Sequence, residues 1–289
     1  MQSTRNLDFG DHRRILWDNR YIYPVVSRRS KGLSIGVNLN PDKVCNFACP
    51  YCQVDRTTPG GNRDVDLAVL EAELNALLAL AASGEIWKHK PFDTVAPELR
   101  RVNDVAFAGD GEPTTCKQFQ GVVELVGTLL KRHGLAQVKP IVLTNATVFH
   151  RPNVAQALDT LEALGGQVWA KLDAGTEPYF HFVDGTTFPF SRVMKNLIAE
   201  AQARPIVIQS MFLRLWDLGP SDGEIRAYWD RIAEILDAGG QIELVQVYSI
   251  ARHPARPILR MLPDAELERI AAGVRALGVP AEIYSGRET

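Results

Sequence analysis

Cysteine is scarce in this sequence: four residues in 289. Three of them, Cys45, Cys49 and Cys52, crowd into one short stretch. That crowding does not resemble a disulfide framework, which staples distant parts of a chain. The sequence also has no apolar run of the roughly 20 residues needed to cross a bilayer. Polar residues stand at the N-terminus where a signal peptide needs an apolar stretch, so a cytoplasmic location is expected. Reducing conditions there keep thiols free for metal work. Neither sign of charge dominates: 32 Lys and Arg face 34 Asp and Glu, a formal net charge of −2. Broad non-specific nucleic-acid binding needs many cations and is not expected. A local basic segment does exist in Arg13, Arg14, Arg20, Arg28, Arg29 and Lys31. It reads either as a solvated face or as a contact patch. No repeat and no low-complexity segment stands out.

Apolar residues make up 46% of the chain and charged residues 23%, enough for a sizeable core and too apolar for disorder. Short apolar runs, many of them β-branched, fall at 33–39, 104–108, 140–145, 168–173, 206–212 and 242–250, with a final run at 281–285. Such runs suit strands buried on both faces. Between them the apolar residues recur at helical spacing. One stripe is Leu67, Leu70, Leu74, Leu77 and Leu78; another is Phe119, Val122, Val123, Val126, Leu129 and Leu130. Four further stripes follow, over 154–164, 193–201, 225–236 and 267–277. Ser221 and Glu224 are spaced as a capping box. Asp264 is placed to cap the last helix, and Gly165-Gly166 and Gly239-Gly240 to stop two others. Six βα units in a row imply a parallel sheet with helices outside, curled by right-handed crossovers into a (β/α)6-type partial TIM barrel. Residues 1–32 do not fit this rhythm and are expected to cap one end or edge of a core spanning 33–289.

The first strand leads into Asn40-Pro-Asp-Lys-Val-Cys45-Asn-Phe-Ala-Cys49-Pro-Tyr51-Cys52. Three thiols at Cys-x3-Cys-x2-Cys spacing then lie at the C-terminal end of a strand, where barrel enzymes place their chemistry. Iron–sulfur clusters are held by thiolates this closely spaced. Three ligands to a four-iron cluster leave one iron open, as catalytic metal sites require. A closed zinc or electron-transfer site is the alternative, with distant Cys116 as its fourth ligand. Otherwise Cys116 reads as a half-buried thiol at a helix start, or as a substrate-facing hydrogen donor.

After the second strand comes Gly109-Asp110-Gly111-Glu112-Pro113-Thr114. Glycines let backbone approach a ligand closely, and a carboxylate gives a charge-assisted bond to an ammonium. The plain alternative is a turn followed by a helix cap at Thr114 or Thr115. Other polar residues at strand ends are Asn145, Lys171, Asp173 and Gln209. Lys171 reads as a catalytic amine, including a Schiff-base role, or as the ion-pair partner of Asp173 or Glu112. His181 and His253 read as loop or surface residues.

Cys-x3-Cys-x-aromatic-Cys, with Tyr51 in the aromatic place, resembles the signature of the radical S-adenosylmethionine (SAM) superfamily. That resemblance implies a [4Fe–4S] cluster on Cys45, Cys49 and Cys52, with S-adenosyl-L-methionine bound at its open iron. It implies Tyr51 near the adenine, and Gly109, Asp110, Gly111, Glu112 and Pro113 as the counterpart of the family's Gly-Gly-Glu motif, which receives the cofactor's amino group. Asn145, Lys171, Asp173 and Gln209 then serve its carboxylate, ribose and adenine, with Lys171 and Asp173 also assigned to catalysis. Over about residues 30–285 the chain resembles a bacterial branch of the wyosine-synthase-like, tRNA-modifying group. The run from Ser30 to Leu39, Thr144-Asn-Ala, Lys171-Leu-Asp-Ala-Gly-Thr and Val247-Tyr-Ser-Ile-Ala-Arg carry that likeness. No cysteine precedes Cys45, so that group's second cluster is not expected. The expected partners are a reductant such as flavodoxin or ferredoxin and a substrate that is a small molecule, a peptide or tRNA. No membrane partner is expected.

Overall fold

The structure is a computed structural model and describes residues 18–251 and 258–286. Arg13, Arg14, Arg252 and His253 lie outside the described residues. The chain forms two compact units.

The first unit comprises Met1–Val44, Pro59–Val142 and Gln156–Gly166. It contains β1 (Ile22–Ser27), β2 (Gly32–Val37), α1 (Leu67–Ser83), β3 (Val102–Phe107), α2 (Phe119–Arg132) and most of β4 (Lys139–Thr144). Helix α3 (Pro152–Ala163) ends in it. Strands β2, β3 and β4 run parallel in that order. Every residue of β2 is buried, as a strand covered on both faces requires. Helix α1 starts where Asp66 accepts from the amides of Ala68 and Val69, and stops at Gly84 in the left-handed region. Its buried stripe is Leu70, Leu74, Leu77 and Leu78; Leu67, expected in the stripe, is exposed at the first helical position.

Strand β1 was not expected. It pairs antiparallel with β2, and the Glu73 carboxylate of α1 accepts from the amides of Arg20, Tyr21 and Ile22 at its start. Pro24 in its middle makes the run look unlike a strand, but an edge position tolerates the missing amide.

The second unit comprises Cys45–Thr58, Leu143–Ala155 and Gln167–Thr289. It contains β5 (Gln167–Lys171), α4 (Glu177–Val183), α5 (Phe190–Ala203), β6 (Ile206–Met211), β7 (Leu213–Leu215), α6 (Asp222–Asp237), β8 (Ile242–Tyr248), β9 (Leu259–Met261), α7 (Asp264–Ala276) and β10 (Ala281–Tyr284). Strands β5, β6, β8 and β10 are parallel neighbours in that order. Strands β7 and β9 form a separate antiparallel pair. That pair and α4 are too short to carry a period that sequence reading detects.

Two caps differ from expectation. Ser221 Oγ does accept from the Glu224 amide. The Glu224 carboxylate, however, turns away to the amides of Gly175 and Thr176 and to the Thr176 hydroxyl, so only half of the capping box forms. Pro263 occupies the N-cap of α7, and Asp264 is already helical, with its carboxylate accepting from Ser285. Gly165 and Gly239 take the left-handed conformation just past α3 and α6, as expected.

Asp104 on β3 is 3% exposed and accepts a hydrogen bond from Ser34 on β2. Burial pushes its carboxyl above the ordinary value, against the hydrogen bonds and Arg29 that pull it down. The folded state therefore holds this proton more tightly than the unfolded chain does. Stability attributable to Asp104 must fall as pH rises from the ordinary carboxylate value, about 4, through the raised folded value. Asp104→Asn keeps the acceptor for Ser34 and should flatten that fall, as urea unfolding between pH 4 and pH 8 would measure.

Candidate active-site cluster

The cysteine loop belongs to the second unit. Cys45, Cys49 and Cys52 form no disulfide and are partly exposed. The Cys52 amide donates to the Cys49 carbonyl at 2.9 Å, closing a turn that keeps these two residues together. The Phe47 amide donates to Cys45 Sγ at 3.5 Å, and Arg56 Nη2 lies 3.8 Å from Cys52 Sγ. N–H donors aimed at sulfur stabilise thiolate ligands and tune the clusters they hold. Burial pushes the Cys49 thiol up to about 12, and Lys171 pulls it back only in part. Such a sulfur ionises when a metal supplies the opposing charge. The donor set fits an iron–sulfur cluster in chemistry and exposure. Among the described residues no three His, Cys, Asp or Glu side chains are gathered around the position of a single metal ion.

Beside Cys49 lies a compact charged network. Lys171 Nζ, at the end of β5, is 3.2 Å from Asp173 Oδ2 and 4.6 Å from the centre of the Tyr51 ring. The Tyr51 hydroxyl bonds to Lys171 and Asp173, and to Asp184 Oδ1 at 3.2 Å. Asp184 Oδ1 is also 3.5 Å from Cys49 Sγ. The Met211 amide fixes the other Asp173 oxygen at 2.7 Å. Burial works against charge on Lys171, but Asp173 and its anionic neighbours outweigh burial and hold the amine well above its ordinary value. Burial, reinforced by Asp173, raises the carboxyl of Asp184. Burial also raises the Tyr51 phenol. At neutral pH the network is therefore an ammonium between acidic groups, with Tyr51 as the neutral link.

The sequence reading paired Lys171 with Asp173 or Glu112, and Asp173 is the partner present. Gln209 on β6 is buried, and its amide donates to Gln246 on β8 at 2.7 Å. Asn145 Nδ2 donates to Asn46 Oδ1 within the cysteine loop at 2.7 Å. His181 is half-exposed on α4 and approaches the Phe188 carbonyl at 3.2 Å, a surface role as expected. Asp184, Asn46, Thr147 and Gly185 were not singled out from the sequence. Asp184-Gly185 reads locally as nothing more than a turn.

The Gly109–Pro113 loop lies in the first unit. Asn38, just past β2, donates to the Asp110 carboxylate at 2.8 Å and accepts from the Asp110 amide at 3.0 Å. A Cβ at Gly109 would sit 2.3 Å from Asn38 Oδ1, and one at Gly111 would sit 2.3 Å from the Val44 carbonyl. The close backbone approach seen here is to the chain leaving β2. Glu112 is 3% exposed and caps the short 3-10 turn Pro113–Thr115 by accepting from the Thr114 amide and hydroxyl. The cap is thus Glu112 itself, not Thr114 or Thr115. Cys116 follows as a buried thiol whose pKa burial raises.

No protein-family profile matches the chain. A crystal structure of a radical SAM methyltransferase from Sphaerobacter thermophilus superposes with a TM-score of 0.61 at 13% identity, over 92% of this chain and 70% of that one. This chain has the radical SAM fold. That fold is the parallel partial barrel read from the six βα units. A structure of TYW1 with a lysine-pyruvate adduct bound superposes with a TM-score of 0.51 at 16% identity, over 86% of this chain and 74% of that one. In sequence, the UPF0026 protein of Helicobacter pylori (strain 26695) is 28% identical over 179 residues, 61% of this chain and 48% of that protein. The match therefore spans about half the length of this curated relative. The Tyr51–Lys171–Asp173 network pairs a buried carboxylate with a partly buried ammonium through an aromatic link.

Removing one member of such a pair strands the other. Asp173→Ala should cost about 3 kcal/mol of stability in the metal-free protein, measured by urea unfolding. Asp173→Ala combined with Lys171→Met should recover a large part of that loss.

Proposed function

We propose that this protein is a radical SAM enzyme that binds a [4Fe–4S] cluster through Cys45, Cys49 and Cys52. The observation that carries the reading is three cysteines outside any disulfide on one loop, two of them met by N–H donors, on a radical SAM fold. Cys45, Cys49 and Cys52 would hold the cluster, which would supply the electron for reductive cleavage of S-adenosylmethionine and, through it, hydrogen abstraction from a substrate. The chain's own residues bind, orient and exclude water. Glu112 supplies a buried carboxylate and Gly109–Pro113 supply backbone acceptors for the cofactor's amino group. Tyr51, Asn145, Lys171, Asp173 and Gln209 provide the polar wall for its remaining groups. Lys171 acts as a fixed cation there, since its ammonium form is the favoured one. A flavodoxin or ferredoxin supplies the electron.

Two tests follow. Anaerobically reconstituted protein should contain about four iron and four sulfide per chain. With dithionite it should form 5′-deoxyadenosine, and Cys49→Ala should lower that yield at least a hundredfold. Wild type that holds a single zinc and no sulfide, or that loads its cluster and forms no 5′-deoxyadenosine, would reject the reading.

The second test concerns Lys171. A lysine-pyruvate adduct is named for the TYW1 structure. A Schiff base needs a neutral amine, and Lys171 sits in an environment that keeps the proton on. Borohydride added with pyruvate should therefore leave the intact mass of this protein unchanged. An adduct mapped to Lys171 would instead assign it a nucleophilic role and favour wyosine-type tRNA chemistry.

A further inference from the structure

Asn46, Phe47 and Ala48 separate the first two cysteines, and each is tied to a different part of the second unit. Asn46 is exposed, yet its side chain makes two hydrogen bonds. Its Nδ2 donates to Thr147 Oγ1 at 2.7 Å, and its Oδ1 accepts from Asn145 Nδ2 at 2.7 Å. Asn145 and Thr147 are themselves locked, because Asn145 Oδ1 accepts from the Thr147 hydroxyl at 2.7 Å and from its amide at 3.2 Å.

Ala146 between them has φ +60 and is fully buried. A non-glycine residue in the left-handed region is strained and persists only where its surroundings over-determine it. The surroundings do so here. The Ala146 amide donates to Thr144 Oγ1 at 3.1 Å, and its carbonyl accepts from buried Asn196 on α5 at 2.7 Å. This kink after β4 lets Asn145 and Thr147 both reach Asn46.

Phe47 is 6% exposed and meets Phe180 of α4 edge-on, with centroids 5.6 Å apart. Phe180 in turn stacks on Phe190 of α5 at 4.9 Å. The Ala48 amide donates to the Gly185 carbonyl at 3.2 Å. Gly185 has φ +57, and a Cβ there would lie 2.2 Å from the Ala48 carbonyl oxygen. Only glycine serves both the conformation and the contact.

We infer that the spacer between Cys45 and Cys49 is a three-point mount, in which Thr147 and Gly185 are positioning residues that fix the separation of the two sulfurs before the cluster arrives. Asn46 joins the loop to the end of β4, Phe47 to the aromatic stack on α4 and α5, and Ala48 to the turn after α4. The inference rests on the cluster-binding reading given above and adds residues that supply no sulfur ligand.

Thr147→Val preserves volume and removes the hydroxyl that bonds to both Asn46 and Asn145. Thr147→Ser restores that hydroxyl. Asn46→Ala removes the same link from the exposed side, where folding is not at stake. Each protein is reconstituted anaerobically and challenged with an iron chelator. Bleaching of the visible absorbance gives the rate of cluster loss, and the electron paramagnetic resonance spectrum of the reduced cluster reports its geometry. Thr147→Val and Asn46→Ala should lose the cluster about three-fold faster or more, the scale of one or two hydrogen bonds. Their spectra should also shift, while Thr147→Ser stays at wild-type values. Gly185→Ala should show the largest loss. Variants that bleach at the wild-type rate with an unchanged spectrum, while wild type loads a full cluster, would overturn the mount alone. A wild type that takes up no cluster would overturn the cluster-binding reading and the mount with it.

Discussion

Three sulfurs on one loop bind a cluster well only if their separations are fixed, and loops are the softest parts of a fold. The dependence of the site on that constraint is visible throughout the second unit. A kinked alanine after β4, a phenylalanine stack on two helices and a glycine turn all converge on the residues between Cys45 and Cys49. Phe47, Ala146, Phe180 and Phe190 are buried in the core, so the loop is tied to it. Each restricts a different residue of the spacer, so a cluster bound there would find a loop already ordered by folding.

The charged network next to Cys49 follows a related logic. A partly buried amine is pushed toward its neutral form unless acids lie close. Asp173 is such an acid, and the Met211 amide prevents it from swinging away. Tyr51 belongs to the cysteine loop and yet bonds to both members of the pair. Loop position and local charge are thereby coupled: the aromatic residue before Cys52 cannot move without disturbing the lysine. Its hydroxyl is committed to this network, and its ring faces the Lys171 cation.

Much of the fold was readable because parallel strands buried on both faces leave continuous apolar runs, and the helices beside them leave apolar stripes. The six expected strands correspond to β2, β3, β4, β5, β6 and β8, and the final run to β10. The misses share a cause. Strand β1 contains Pro24, the β7 and β9 pair has three residues in each strand, and α4 has seven. Elements that short, or interrupted, have no period to read. In the site, thiols and carboxylates announce their chemistry by type. Residues that contact the loop do not: Thr147 and Gly185 are ordinary residues until the fold brings them to it.

Local pattern alone determined the alternation of strands and helices, the parallel barrel class and the three-thiol loop, because periodicity and spacing are properties of neighbouring residues. Tertiary structure decided the rest. Asp184 lies beside Cys49, Glu224 leaves its own helix cap for the turn after β5, and Asp173 rather than Glu112 holds Lys171. Each of these is a choice among polar partners far apart in the chain. Buried polar groups must find partners, and only the folded backbone determines which partner is within reach.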